Sequence, residues 1–126
     1  MSMVRKGSAV AVLIALVALV TAVSAFGRAD AATPVTVTAG KPAEFKFTLS
    51  KRTVTKGAAA LTVAFKVTNK GAIAHDFKIA GKKTAVLKTG KTQTLSVRFT
   101  KKGKYAYLCT LPGHAAGGMK GTFTIK

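Results

Sequence analysis

Cysteine and acidic residues are scarce in this chain of 126 residues, which has one Cys and three Asp or Glu. A single cysteine, Cys109, cannot form an internal disulfide. So few carboxylates leave little material for paired acid–base catalysis, and the sequence contains no catalytic diad or phosphate-binding loop. We therefore do not expect the protein to be an enzyme.

Positive charge is abundant instead, because 21 Lys and Arg give a formal net charge of +18. The basic residues are mostly lysines at turns and outward strand positions, without an arginine-rich run. Such lysines solvate the surface and protect strand edges, and their field attracts acidic partners and anionic surfaces. We predict an acidic protein partner, no nucleic acid, and membrane contact only through an anionic surface or an uncleaved signal. We expect a monomer.

The first 31 residues have the pattern of a secretory signal. Basic Arg5 and Lys6 precede a run without charge from Gly7 to Gly27, and Ala29-Asp30-Ala31 offers a cleavage site of small residues. The uncharged run approaches the roughly 20 residues that span a bilayer, so an uncleaved anchor is the alternative. Its alanine-rich composition and the cleavage site favour removal. We predict a signal peptide with its helix at 1–31, a mature domain at 32–126, and export to the periplasm, cell envelope or extracellular space.

After the signal, apolar side chains recur at every second position. Leu61, Val63, Phe65 and Val67 share one face of the clearest segment. Turn residues separate about eight such segments at spacings of about 8–12 residues, and no stretch of about ten residues has helical periodicity. The pattern predicts an all-β fold, an antiparallel Greek-key β-sandwich of about eight strands around one core. Among the predicted strand segments are Glu44–Leu49 and Thr84–Leu87.

Three candidate metal ligands, Cys109, His114 and Met119, lie within eleven residues of one loop. A tight turn at Pro112-Gly113 can bring the imidazole back over the sulfur. A thiolate, an imidazole and a thioether form a soft ligand set that selects copper. A trigonal site of two histidines and one cysteine, with a weak axial methionine, needs a second histidine. His75 is the only other one.

Each of these residues has an ordinary structural alternative. A free cysteine or a methionine before a strand is often part of a core, and either histidine could be a plain loop residue. An unpaired cysteine in an exported protein can also be reactive or intermolecular. A bound metal, by contrast, protects the thiol and stabilises a small domain. The combination of Cys109, His114 and Met119 in one C-x₄-H-x₄-M stretch favours the metal site.

On these residues the chain resembles the cupredoxins, small blue copper proteins such as plastocyanin, azurin and auracyanin, over roughly residues 35–126. Residues 109–114 are similar to the family's ligand loop, and residues 118–122 to the segment that carries the axial methionine. Residues 69–77 are similar to the segment of the first histidine. The resemblance implies one mononuclear type 1 copper.

The resemblance also implies a role for each residue. His75, Cys109 and His114 would be equatorial ligands, the histidines through Nδ1, and Met119 would be the axial ligand. His114 would pass the electron through a surface patch of apolar side chains, which here are Leu111, Pro112, Ala115 and Ala116.

The residue after the first histidine departs from the family pattern. Many cupredoxins have Asn there, whereas this chain has Asp76. Its side chain can accept hydrogen bonds from a backbone N–H or from the Thr110 hydroxyl, so we predict that Asp76 and Thr110 support the ligands from outside. An ionised Asp76 would favour Cu(II) and lower the reduction potential. Its ordinary alternative is a turn aspartate.

The predicted function is one-electron transfer by Cu(II)/Cu(I) cycling, with lysines that steer an acidic redox partner. Alternatives are a copper carrier or buffer, an accessory cupredoxin-like module without electron-transfer duty, and a basic envelope-binding protein in which metal is incidental. Carriers tend to use exposed sites rich in Met and His, whereas two of the three methionines here lie in the predicted signal. The single cysteine excludes a binuclear copper centre, and a nitrite reductase would need a second copper domain. Zinc could occupy the site in vitro.

Overall fold

Alternating apolar segments become strands in the computed structural model, which describes residues 31–126. The predicted signal peptide and its helix fall outside these residues, apart from Ala31. Within the described part of the chain, no helix is long and apolar enough to cross a bilayer. Nine strands are found there: β1 (Thr33–Ala39), β2 (Phe47–Leu49), β3 (Thr53–Val54), β4 (Leu61–Asn69), β5 (Lys78–Ile79), β6 (Lys82–Lys83), β7 (Thr92–Phe99), β8 (Gly103–Leu108) and β9 (Lys120–Ile125).

The strands form two sheets, with the orders β2-β1-β4-β7 and β3-β9-β8-β5-β6. The predicted all-β sandwich is confirmed. The sheets are mixed rather than purely antiparallel, because β1 pairs with β4 in parallel and β3 pairs with β9 in parallel. Alternation tells which face of a sheet a side chain occupies. It carries no information about strand direction, so the parallel pairs could not be read from it.

Aromatic side chains join the two sheets at the centre of the core. Phe65 on β4 is fully buried, and its ring centroid lies 5.2 Å from that of Phe123 on β9. The ring of Phe77, just before β5, lies 5.4 Å from the Phe65 ring. The packed core gives a stiff base for the loops at the ends of the strands.

Two segments that the sequence predicts as strands are only partly strand, or not strand, in the structure. The chain forms a turn at Glu44–Phe45 and β2 begins only at Phe47, because the Glu44 carboxylate accepts hydrogen bonds from another loop instead of projecting from a sheet. Thr84–Leu87 contributes a single bridge, between Leu87 and His75. There the Thr84 hydroxyl accepts from the Phe77 N–H, replacing part of a strand ladder.

Candidate metal centre

The loop from Cys109 to Met119 connects β8 to β9 and is closed by its own backbone. The Cys109 N–H donates to the Met119 carbonyl at 3.1 Å, and the Met119 N–H donates to the His114 carbonyl at 3.0 Å. The turn before His114 uses Gly113, whose φ of 79° is in the left-handed region that favours glycine. The loop therefore holds Cys109, His114 and Met119 in fixed relation to one another.

His75 is held by a neighbouring segment and by a buried asparagine. It forms a two-bond bridge with Leu87, with N–O distances of 3.1 and 2.7 Å. The side-chain amide of Asn69 donates to the carbonyls of Ile73 and Leu87, both at 2.8 Å. The sequence analysis placed Asn69 in the segment similar to that of the first histidine but gave its side chain no role. Its buried amide in fact supports the loop that carries His75.

The structure brings His75, Cys109 and His114 together, and one ligand atom of each lies within 4.8 Å of the other two. His75 Nδ1 lies 3.1 Å from His114 Nδ1, and Cys109 Sγ lies 3.4 Å from His114 Nδ1. An ion at about 2.0–2.3 Å from such nitrogen and sulfur ligands would hold them roughly 3.3–3.8 Å apart. The three donors therefore fit a metal ion after only small movements. Met119 is fully buried in the same loop.

The ligands differ in their access to solvent. His75 and Cys109 are 0% and 1% exposed, whereas His114 is half-buried. Burial raises the pKa of the Cys109 thiol, and the Asp76 N–H acts in the opposite direction. Because the thiolate is the form that binds metal, metal binding must displace a proton from a well-protected thiol.

Asp76 and Thr110 connect the two ligand loops. The Thr110 N–H donates to Asp76 Oδ1 at 2.6 Å, and the Thr110 hydroxyl donates to Asp76 Oδ2. The Asp76 N–H in turn donates to Cys109 Sγ at 3.5 Å. The structure thus gives Asp76 both of the partners that the sequence analysis assigns to it.

The predicted electron-transfer patch is partly open to solvent. Pro112 and Ala116 are exposed, and Leu111, Ala115 and His114 are half-buried. Two exposed apolar side chains, Phe45 and Ile73, were missed by the sequence analysis, and Phe45 contacts a ligand. The Phe45 ring centroid is 5.0 Å from the His114 ring, and Ile73 is in the loop before His75. The apolar surface is therefore wider than predicted.

Glu44 is the main functional residue that sequence reasoning missed. Its Oε1 lies 2.7 Å from His75 Nε2. Its carboxylate also accepts the N–H groups of Ala72 and Ile73, and the Ala72 N–H is the largest cause of a lowered Glu44 pKa. The contact joins residues 31 positions apart, so no local spacing reveals it. The scarcity of carboxylates is the one sequence signal that could have drawn attention to it.

Comparisons with known proteins agree with this fold and ligand set. The family model for copper binding proteins of the plastocyanin/azurin family matches residues 33–126. No curated protein sequence matches the chain.

Three solved structures show how far the likeness extends. Auracyanin from Roseiflexus castenholzii is 23% identical, with coverage of 75% of this chain and 98% of that one and a TM-score of 0.56. Rusticyanin from Thiobacillus ferrooxidans is 29% identical, with coverage of 74% and 76% and a TM-score of 0.52. A multi-copper oxidase from Pediococcus acidilactici is 18% identical, and the match covers 75% of this chain but 26% of the oxidase, with a TM-score of 0.54.

Proposed function

The chain belongs to the plastocyanin/azurin family of copper-binding proteins, and from this premise we propose that it carries single electrons between redox partners as an exported blue copper protein. Its cofactor is one type 1 copper, for which His75, Cys109, His114 and Met119 form the ligand set. When bound, the metal supplies one-electron chemistry by cycling between Cu(II) and Cu(I). The observation that carries the proposal is that ligand atoms of His75, Cys109 and His114 lie within 4.8 Å of one another, with the two Nδ1 atoms 3.1 Å apart.

The chain's own contribution is to keep these donors in place in both oxidation states. Cys109 and His114 are each hydrogen-bonded to Met119 through the backbone, and His75 is fixed by its bridge to Leu87. Because neither loop has to refold when the charge at the site changes, reorganisation stays small, which favours fast electron transfer. Half-buried His114 gives the electron its shortest route to a partner that docks on the apolar patch.

The same contacts argue against the rival functions. A carrier must release its metal to an acceptor, yet His75 and Cys109 are almost completely buried. An enzyme that uses copper needs an open coordination position, and Met119 is available for the fourth one. Acid–base catalysis also lacks free carboxylates, because both carboxylate side chains of residues 31–126 are hydrogen-bonded to residues of the ligand loops. We therefore propose electron transfer without catalysis.

The lysine-rich surface supports an acidic redox partner. Residues 32–126 carry 18 basic side chains and two acidic ones. Within the described residues, neither carboxylate side chain is paired with a lysine or arginine, since Glu44 contacts His75 and Asp76 contacts Thr110. Such a field raises association rates with anionic partners by about 10- to 1,000-fold at low salt.

Stopped-flow kinetics with two small reagents of opposite charge tests both parts of this proposal. The reduced copper protein is mixed with an anionic oxidant, hexacyanoferrate(III), or a cationic one, tris(phenanthroline)cobalt(III). We expect rapid appearance of a blue band as Cu(I) is oxidised, with a rate constant that falls with salt for the anion and rises for the cation, and the band should disappear again when a reductant is added. A colourless copper protein, or one that cannot be cycled, would refute electron transfer. Equal salt dependence with both oxidants would refute steering.

We propose that residues 1–31 are removed as a signal during export. We expect intact-mass analysis of the protein recovered outside the cytoplasm to give the mass of residues 32–126. A membrane-bound product with the mass of the full chain would instead establish the uncleaved anchor.

A further inference from the structure

The segment from Gly40 to Lys46, between β1 and β2, lies across both histidine loops. A Cβ at Gly40, whose φ is 81°, would overlap the Cα of Gly71, so the two backbones touch there. Further along the segment, the Phe45 ring packs 5.0 Å from the His114 ring, and a Cβ at Gly117 would lie 3.2 Å from Phe45 Cδ2. This segment delivers Glu44 to His75 Nε2.

The Glu44 carboxylate accepts three hydrogen bonds from the His75 loop. Oε1 takes His75 Nε2 at 2.7 Å and the Ile73 N–H at 3.1 Å, and Oε2 takes the Ala72 N–H at 2.9 Å. A carboxylate with three donors on two oxygens has a fixed position and orientation. Glu44 therefore acts as a clamp on one turn of the loop and on the imidazole at its end.

The clamp determines which nitrogen of His75 is available to a metal. In the neutral imidazole, Nε2 must carry the proton in order to donate to the carboxylate, so Nδ1 keeps its lone pair. That Nδ1 is the atom that faces His114 Nδ1 at 3.1 Å and belongs to the ligand cluster. His75 is fully buried, so Glu44 is the acceptor that its Nε2 reaches in the folded protein.

Gly71 keeps the space for this contact. A Cβ at Gly71 would lie 2.5 Å from Glu44 Oε1 and 2.8 Å from His75 Nε2. Because these two atoms belong to the hydrogen-bonded pair itself, any larger side chain would have to push the carboxylate and the imidazole apart. The backbone at residue 71 is thus shaped around the Glu44–His75 pair.

Charge makes the position of Glu44 consequential. In a domain with 18 basic side chains and two carboxylates, one carboxylate is hydrogen-bonded to a copper ligand. An anion that accepts the outer N–H of a metal-bound imidazole raises the basicity of the ligating nitrogen. A more basic nitrogen stabilises Cu(II) more than Cu(I).

We propose that Glu44 is a positioning residue of the copper site, which fixes His75 as an Nδ1 ligand and lowers the reduction potential through its negative charge. The proposal rests on the proposed function, since it assumes that copper occupies the ligand cluster. It adds a residue outside the ligand set whose charge sets the balance between the two oxidation states.

The charge is tested with Glu44→Gln in the copper-loaded protein. Gln keeps an oxygen for His75 and the length of the side chain, but it is neutral and turns its NH₂ group toward the Ala72 N–H. We expect the ratio of Cu(II) to Cu(I) affinity to fall about tenfold, which corresponds to a rise of about 59 mV in a one-electron potential. Spectroelectrochemistry measures the shift.

Thr100→Lys is the matched control, because it changes the net charge by the same amount. Thr100 is exposed between β7 and β8, at the end of β8 opposite the copper loop. At 0.1 M salt the Debye length is about 10 Å, so we expect less than a twofold change in the affinity ratio. A potential in Glu44→Gln that matches wild type, or a control shift as large as the Glu44 shift, would overturn the proposed charge effect.

The positioning role is tested without copper, by comparing wild type with Glu44→Ala. Nitrogen-15 NMR of the metal-free protein near pH 8, where a free imidazole is neutral, reports which nitrogen of His75 carries hydrogen. We expect a single Nε2–H tautomer in wild type and a mixture in Glu44→Ala. An Nδ1–H tautomer in wild type would refute the positioning role. A pure Nε2–H form in a protein that never becomes blue would keep that role and refute the proposed function instead.

Discussion

Replacing Cys109 with serine is expected to abolish the blue copper site. Cys109 is the only cysteine in the chain, and its sulfur is buried 3.4 Å from His114 Nδ1. A serine hydroxyl is a hard donor that stays protonated at neutral pH, so it cannot replace the soft thiolate. Loss of an outer hydrogen-bond partner costs about 10- to 100-fold in metal affinity. For loss of this ligand itself we expect a decrease of more than about 100-fold.

Copper titration followed by visible and electron paramagnetic resonance spectra measures the effect. Wild type should give an intense blue band and a narrow copper hyperfine splitting, and Cys109→Ser should give neither. Met119→Leu is the control, since it alters the same loop but leaves the thiolate in place. It should keep the blue band and raise the reduction potential, because Cu(II) loses a weak axial donor. A blue Cys109→Ser protein would mean that the thiolate is not the source of the colour.

The ligand cluster could be predicted from sequence because its signals are local. Cys109, His114 and Met119 fall in one loop with turn residues between them. His75 was the weakest assignment from spacing alone, and elimination supplied it, since the chain has only two histidines. The structure brings His75 to the loop through its bridge with Leu87, a contact that no periodicity encodes.

Contacts between distant segments could not be predicted from the sequence, for a physical reason. Glu44 fits the alternating pattern of the strand that follows it, so its side chain was assigned to a sheet face. In the structure, three donors of the His75 loop outweigh the preference of residues 44–46 for a strand. Local propensity is routinely overridden where tertiary contacts satisfy strong acceptors. Positions at which a clear pattern fails in this way often mark a functional site.

Truncation of Phe65 to alanine is expected to produce the largest loss of stability. Phe65 is fully buried on β4, and its ring packs against Phe77, Phe99 and Phe123. Because these neighbours belong to both sheets, the structure cannot close the space without moving the sheets. Removing a buried phenylalanine costs about 3–5 kcal/mol. This is a large part of the roughly 5–15 kcal/mol that stabilises a typical domain.

Thermal unfolding of the metal-free protein measures this loss. One kcal/mol shifts the melting temperature of a domain of this size by about 4–8 °C, so we expect Phe65→Ala to melt at least about 12 °C below wild type. Val86→Ala is the control, because Val86 is 54% exposed. Its effect should stay within about 0.5 kcal/mol. Melting of Phe65→Ala within about 2 °C of wild type would mean that the two sheets do not depend on this ring.

Copper should restore much of this loss, because the ligand cluster exists only when both loops are folded. A ligand that binds only the folded state stabilises it by about 4.1 kcal/mol at a free concentration of 1,000 times its Kd. This gain is similar in size to the loss from Phe65→Ala, so the copper-loaded variant should melt near metal-free wild type. The double variant Phe65→Ala/Cys109→Ser should gain almost nothing from copper. An equal gain in the double variant would show that the metal stabilises the protein at some other site. It would refute the prediction that copper at the ligand cluster offsets the stability lost in the core.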